Sequence, residues 1–126
     1  MKKILIVIAD YYSDISSSLL KSAKNNLNDF SLKIIRVPGV FEIPTTISKN
    51  IKKYDAFIAL GCVIKGETPH FDFISSASTQ AIMNLSVSSK KPIGNGIITC
   101  LNMKQAKARG RKGKEAAKAV ISVLSQ

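Results

Sequence analysis

A chain of 126 residues is long enough for one domain with its own core, and 45% hydrophobic residues exclude a disordered one. No apolar run approaches the roughly 20 residues that cross a bilayer, so no membrane span is expected. The net charge of +11 invites nucleic acid, but the excess has a focus: seven basic residues against one acid, Glu115, lie between Lys104 and Lys118. No base-reading or RNA-binding aromatic motif accompanies them. They read as a solvated helix face that also attracts a phosphorylated small molecule, and no nucleic-acid partner is expected.

In chain order, Met1-Lys2-Lys3 and the apolar run Ile4 to Ala9 imitate the start of a signal peptide. Asp10 follows, with no small-residue cleavage site. The run therefore reads as a strand buried on both faces, in a cytoplasmic protein. Asp10 to Ser18 is polar and Ser-rich, suiting a turn and helix cap. Ile15, Leu19, Leu20, Ala23 and Leu27 mark an amphipathic helix ending near Asn28. Leu32 to Val37 is a second strand, broken by Pro38-Gly39. Val40-Phe41-Glu42 forms a loop, and Pro44 stands in the first turn of a short helix carrying Ile43, Ile47 and Ile51.

Ala56 to Ile64 is a third strand. The stretch Gly61 to Phe73 then reads as strand end, Gly-punctuated turn and helix start. Thr68-Pro69 supplies a cap and a first-turn proline. Amides at Gly66, Glu67 and Thr68 would point at an anion. His70, the chain's only histidine, follows, and an ordinary imidazole titrates near neutral pH. Ile74, Ala77, Ala81, Ile82 and Leu85 continue a helix to about Ser89. Pro92 to Thr99 is a fourth strand, interrupted by Gly94 and Gly96, and at Asn95-Gly96 the glycine lets a ligand or a backbone approach closely. Helical patterns resume from Met103 to about Arg109 and from Lys114 to Leu124. Cys62 and Cys100 read as reduced, buried small hydrophobes. With no CxxC pair and one histidine, no metal site is expected.

Strict strand–helix alternation implies an α/β three-layer sandwich: a four-stranded parallel sheet with helices on both faces, flavodoxin-like, in a single domain over 1–126. Ligands bind such sheets outside the carboxyl ends of the strands. That rim gathers Asp10-Tyr11-Tyr12, Pro38 to Glu42 and Gly61 to His70: an aromatic, an acid, an amide turn and a histidine.

Val37-Pro38-Gly39-Val40-Phe41-Glu42-Ile43-Pro44 resembles the "VPGAFEIP" signature of the 6,7-dimethyl-8-ribityllumazine synthase family. Gly61 to Phe73 resembles that family's "G-x-V-I-R-G-x-T-x-H-[FY]-D-[FY]" segment, and Lys112 to Ala117 its "NKGxEAA" helix. The likeness runs in order over nearly the whole chain. It implies condensation of 5-amino-6-(D-ribitylamino)uracil with 3,4-dihydroxy-2-butanone 4-phosphate, the penultimate step of riboflavin biosynthesis, with no cofactor and no metal. By position it makes His70 the proton shuttle and Gly66, Glu67, Thr68 and Arg109 the phosphate site. Tyr11 would stack on the pyrimidine. Val40 and Phe41 would offer it backbone groups. Glu42 and the backbone at Cys62, Val63 and Ile64 would hold the ribityl side. Asn95, Lys112 and Glu115 would face the substrate.

Asp10, Tyr12, Lys65 and Asn95 depart from residues frequent in the family, and the segment between Arg109 and Lys112 is short. The resemblance also implies a ring of five subunits, with each site built between neighbours: Tyr11, Val40, Phe41, Glu42 and His70 from one, Asn95, Arg109, Lys112 and Glu115 from the next. The short loop, the directly starting first strand and the charge favour a single pentamer, or two stacked, over an icosahedral shell. Riboflavin synthase is the candidate protein partner. The competing readings are a flavodoxin-like module binding a flavin or nucleotide without chemistry, and a basic nucleic-acid binder.

Overall fold

The computed structural model describes residues 1–66 and 70–126. Its elements alternate as β1 (Lys3–Ala9), α1 (Ser13–Lys24), β2 (Ser31–Val37), a single 3₁₀ turn (Val40–Glu42), α2 (Ile43–Lys49), β3 (Ala56–Ile64), α3 (His70–Ser89), β4 (Ile93–Cys100), α4 (Met103–Lys107) and α5 (Lys112–Leu124). The strands form one parallel sheet in the order β2-β1-β3-β4. The expected architecture is the observed one.

The two central strands are buried on both faces: every residue from Ile4 to Ala9 and from Ala56 to Phe57, Ile58, Ala59 and Leu60 is core. Their alternation sorts them into two layers. Ile4, Ile6, Ile8, Ile58 and Leu60 pack with Ile15 and Leu19 of α1 and Ala117 and Val120 of α5. Leu5, Val7, Phe57 and Ala59 pack with Ile43 and Ile47 of α2 and Ile82 of α3. Each Ile, Leu, Val or Phe among them contributes about 1.5–3 kcal/mol. Right-handed crossovers require this division. The chain steps from β1 to β2 in one direction and then returns past β1 to β3 and β4 in the other.

Two details differ from the sequence expectation. Helix α1 stops at Lys24, earlier than Asn28, because Asn26 and Leu27 turn back on the carbonyls of Ala23 and Lys24; Leu27 is still buried, from the turn. The residue at the head of α1 is Tyr12, which gives no side-chain cap. The serines lie inside the helix instead, where the Ser16 hydroxyl donates to the Ala9 carbonyl at 2.6 Å and ties helix to strand. At both strand glycines it is protein that comes close: a Cβ at Gly94 would meet the Ala116 carbonyl of α5, and one at Gly96 a methyl of Leu60 and the Ala59 carbonyl of β3.

Helix α3 is the exception to good burial. Of its 20 residues only Ser78 and Ile82 are fully buried, while Phe73, Met83 and Val87 stand exposed. Ala77 is exposed as well.

Candidate functional site

The sheet's switch point lies between β1 and β3, where strand order reverses, and a hollow of about 700 Å³ opens at the carboxyl ends of these strands. Tyr11 and Tyr12 enter it from the end of β1, and Gly39 to Glu42 from the 3₁₀ turn after β2. Cys62, Val63 and Ile64 come from the end of β3, and His70, Phe73, Ile74 and Ala77 from the first two turns of α3. The spacing of these last four is that of one helix face.

The aromatic side chains here are presented, not packed away. Tyr11 is 76% and Phe41 64% exposed, and Tyr11 meets Tyr12 edge-on with ring centres 4.9 Å apart. The Glu42 carboxylate folds back toward Gly39, leaving 3.2 Å between Oε1 and the place a Cβ would take. Val40 forms the buried floor beside Gly61, where a Cβ would lie 2.8 Å from a Val40 methyl. Burial and the neighbouring Cys100 push the Cys62 thiol up to about 12, so it stays protonated and takes no part as a nucleophile. Burial, then Tyr11, then Cys62 raise Tyr12, whose hydroxyl is a neutral donor.

Asp10, beside this rim, receives both contacts of the Arg36 guanidinium at 3.1 Å. Asp10, one of the departures from the family pattern, thus stands in an exposed cross-strand ion pair, worth about 0–1 kcal/mol.

A second hollow, of about 710 Å³, lies at the edge strand and is separately lined: Asn95, Ile97, Ile98 and Thr99 of β4, Thr79 of α3, and Ala108, Arg109, Arg111, Lys112 and Glu115 around the α4–α5 junction. The Asn95 Oδ1 accepts the Ile97 N–H at 3.0 Å, fixing that amide. Arg109 donates through Nη1 to the Thr99 carbonyl at 3.1 Å, which seats its guanidinium against β4.

The 6,7-dimethyl-8-ribityllumazine synthase family model matches residues 1–126. The chain belongs to the 6,7-dimethyl-8-ribityllumazine synthase family. A 6,7-dimethyl-8-ribityllumazine synthase of Methylorubrum populi is 43% identical over 98% of the chain and 81% of its own length. One of Agrobacterium fabrum is 43% identical over 96% and 91%. In fold alone, the chain is similar to a 3-dehydroquinate dehydratase-like protein of Bifidobacterium longum, with a TM-score of 0.54 at 11% identity and full coverage of both chains. The lumazine synthase family is one of transferases in riboflavin biosynthesis, and these matches do not favour a flavin- or nucleotide-binding module without chemistry.

The residues marked by the lumazine synthase motifs fall into two groups in space. Tyr11, Val40, Phe41, Glu42, Cys62, Val63, Ile64 and His70 line the first hollow. Asn95, Arg109, Lys112 and Glu115 line the second. Gly66 is exposed just past the end of β3, with nothing among the described residues within 4 Å of where a Cβ would stand. Glu67 and Thr68, expected to bind phosphate, lie outside the described residues. Tyr12 was expected at the rim, whereas Phe73, Ile74, Thr79 and Arg111 were not singled out for the site. Phe73 and Ile74 were legible as the i+3 and i+4 partners of His70. Among the described residues no helix is long and apolar enough to cross a membrane.

Proposed function

We propose that the chain condenses 5-amino-6-(D-ribitylamino)uracil with 3,4-dihydroxy-2-butanone 4-phosphate to form 6,7-dimethyl-8-ribityllumazine, inorganic phosphate and water. Family membership over residues 1–126 is the observation that carries it. The chemistry of the first hollow supports it. Tyr11 and Phe41 offer flat apolar surface to a pyrimidine, and Glu42 is an acceptor for polyol hydroxyls.

The 5-amino nitrogen attacks the ketone carbonyl, and loss of water leaves an imine. Proton removal from the adjacent carbon expels phosphate, and the resulting enol tautomerises to a carbonyl. The ribitylamino nitrogen then adds to that carbonyl, and a second water leaves as the ring closes. Every step moves a proton or releases an anion, with no change in oxidation state, so orientation and a modest acid/base suffice. His70 serves as that acid/base. Gly66, Glu67, Thr68 and Arg109 receive the phosphate.

On one chain the two hollows are separate, and each holds only some of the residues the chemistry uses. The reading that joins them is a ring of five copies, alone or two stacked, in which the first hollow of one subunit faces the second of its neighbour. The exposed apolar side chains of α3 suit such an interface. The protein acts in the cytoplasm, where riboflavin synthase would consume the product.

The test is a steady-state assay with both substrates, followed by lumazine absorbance, with light scattering on the same sample. Lumazine formation by a particle of pentamer or decamer mass is expected. Absence of product from a folded protein overturns the activity, and an active monomer overturns the shared site.

A further inference from the structure

Resting on that activity, we propose that Arg111 is a second phosphate-binding residue, acting beside Arg109 on the phosphate of the butanone substrate. The second hollow is lined by three cations, Arg109, Arg111 and Lys112, against one carboxylate, Glu115. That leaves a net of two positive charges, the complement of a phosphate monoester whose second pKa is about 6. Arg109 alone is poorly placed to neutralise it. One of its terminal nitrogens is already committed to the Thr99 carbonyl, so only part of its donor fork remains for a group with three acceptor oxygens.

Arg111 meets the geometric need. It lines the same hollow, and among the described residues no carboxylate pairs with it. Its backbone is held on both sides. The Ser22 hydroxyl donates to the Gly110 carbonyl at 2.7 Å. The Lys112 N–H donates to the Arg109 carbonyl at 3.0 Å, and the Lys114 N–H to the Arg111 carbonyl at 3.1 Å. The Gly110-Arg111 segment at the end of the α4–α5 connection therefore presents this guanidinium from a fixed point. A cation heading α5 also opposes the helix dipole, a cost that a bound dianion reverses.

The test measures inhibition by inorganic phosphate and the KM of each substrate. Arg111→Ala is expected to weaken phosphate inhibition about tenfold and raise KM for the butanone phosphate by a similar factor, as for loss of a charge-assisted hydrogen bond. KM for the uracil and kcat should stay within about twofold. Arg111→Lys, which keeps charge but not the fork, should fall between. Lys104→Ala, a cation of the same basic run outside the hollow, should change none of these. Unchanged phosphate inhibition in Arg111→Ala overturns the proposal, and so does an equal loss in Lys104→Ala, which would indicate a general field. Calorimetric titration of wild type and Arg111→Ala with inorganic phosphate reads the same difference without catalysis. A wild type that binds phosphate through Arg111 but forms no lumazine would sink the activity and leave this assignment standing.

Discussion

Replacing Gly94 by alanine tests how the sheet holds the second hollow. Gly94 lies opposite Ile58 in β4, and a Cβ there meets the Ala116 carbonyl oxygen and, at 2.9 Å, a methyl of Val120. The carbonyl belongs to the backbone of α5 and cannot rotate away, so the helix must be displaced. Overpacking of this kind costs about 1–3 kcal/mol. With backbone as the obstacle the cost falls in the upper half of that range, about 2–3 kcal/mol; removing a strand glycine returns about 0.5–1 kcal/mol, which leaves a net loss of about 1–2.5 kcal/mol. For 126 residues at about 2.1 cal/mol/K each, unfolding entropy is about 0.26 kcal/mol/K, so Tm should fall by about 4–10 °C. The assay is thermal denaturation by circular dichroism at one fixed protein concentration, since assembly adds to apparent stability. The contrast is Gly66→Ala, where the new methyl meets nothing among the described residues within 4 Å and stability should stay within about 0.5 kcal/mol. Because α5 also carries Lys112 and Glu115 into the hollow, Gly94→Ala should lower kcat/KM as well. A Tm equal to or above wild type would refute the packing account, as would an equal fall in Gly66→Ala.

Further outcomes are expected. His70→Ala should lose about 10²–10⁴-fold in kcat yet retain measurable turnover at saturating substrate, because orientation makes the larger contribution; complete loss in a folded variant, or an unchanged rate, contradicts the acid/base role. Tyr11→Ala should raise KM for the uracil with little change in Tm, since the ring is exposed; an unchanged KM removes the stacking role. The Cys62 thiol is raised to about 12 in the fold, against about 8.5 unfolded, so its contribution is intact below about pH 8.5 and declines as pH rises through about 12. Urea midpoints measured from pH 8 upward should fall less steeply in Cys62→Ala than in wild type, and parallel slopes would count against burial as the cause.

The elements were legible to within a few residues because buried parallel strands and amphipathic helices leave unlike patterns, as Ile4 to Ala9 and Leu19 to Leu27 do. What escaped was set by partners distant in sequence. The end of α1 is decided by turns at Asn26 and Leu27, not by the burial of Leu27. The meaning of Asp10 depends on Arg36, across the sheet. Gly96 looked equally suited to a ligand or a backbone, and only the packing of Leu60 and the Ala59 carbonyl against it decides between them. Many of the residues that line the two hollows were readable from the strand ends and the family motifs. Their division into two hollows on one chain follows from the edge position of β4, which the strand order alone reveals. Arg111 carried no separate signal within a basic run.

The central claim is a condensation site completed by two copies of the chain, and subunit complementation tests it most directly. One variant, Tyr11→Ala with His70→Ala, damages the first hollow. The other, Arg109→Ala with Lys112→Ala, damages the second. In randomly mixed rings, about a quarter of the interfaces join two intact halves. Lumazine formation by the mixed oligomer should therefore rise well above either parent, toward about a quarter of the wild-type rate. A mixture no more active than the average of its parents would contradict a site shared between neighbours.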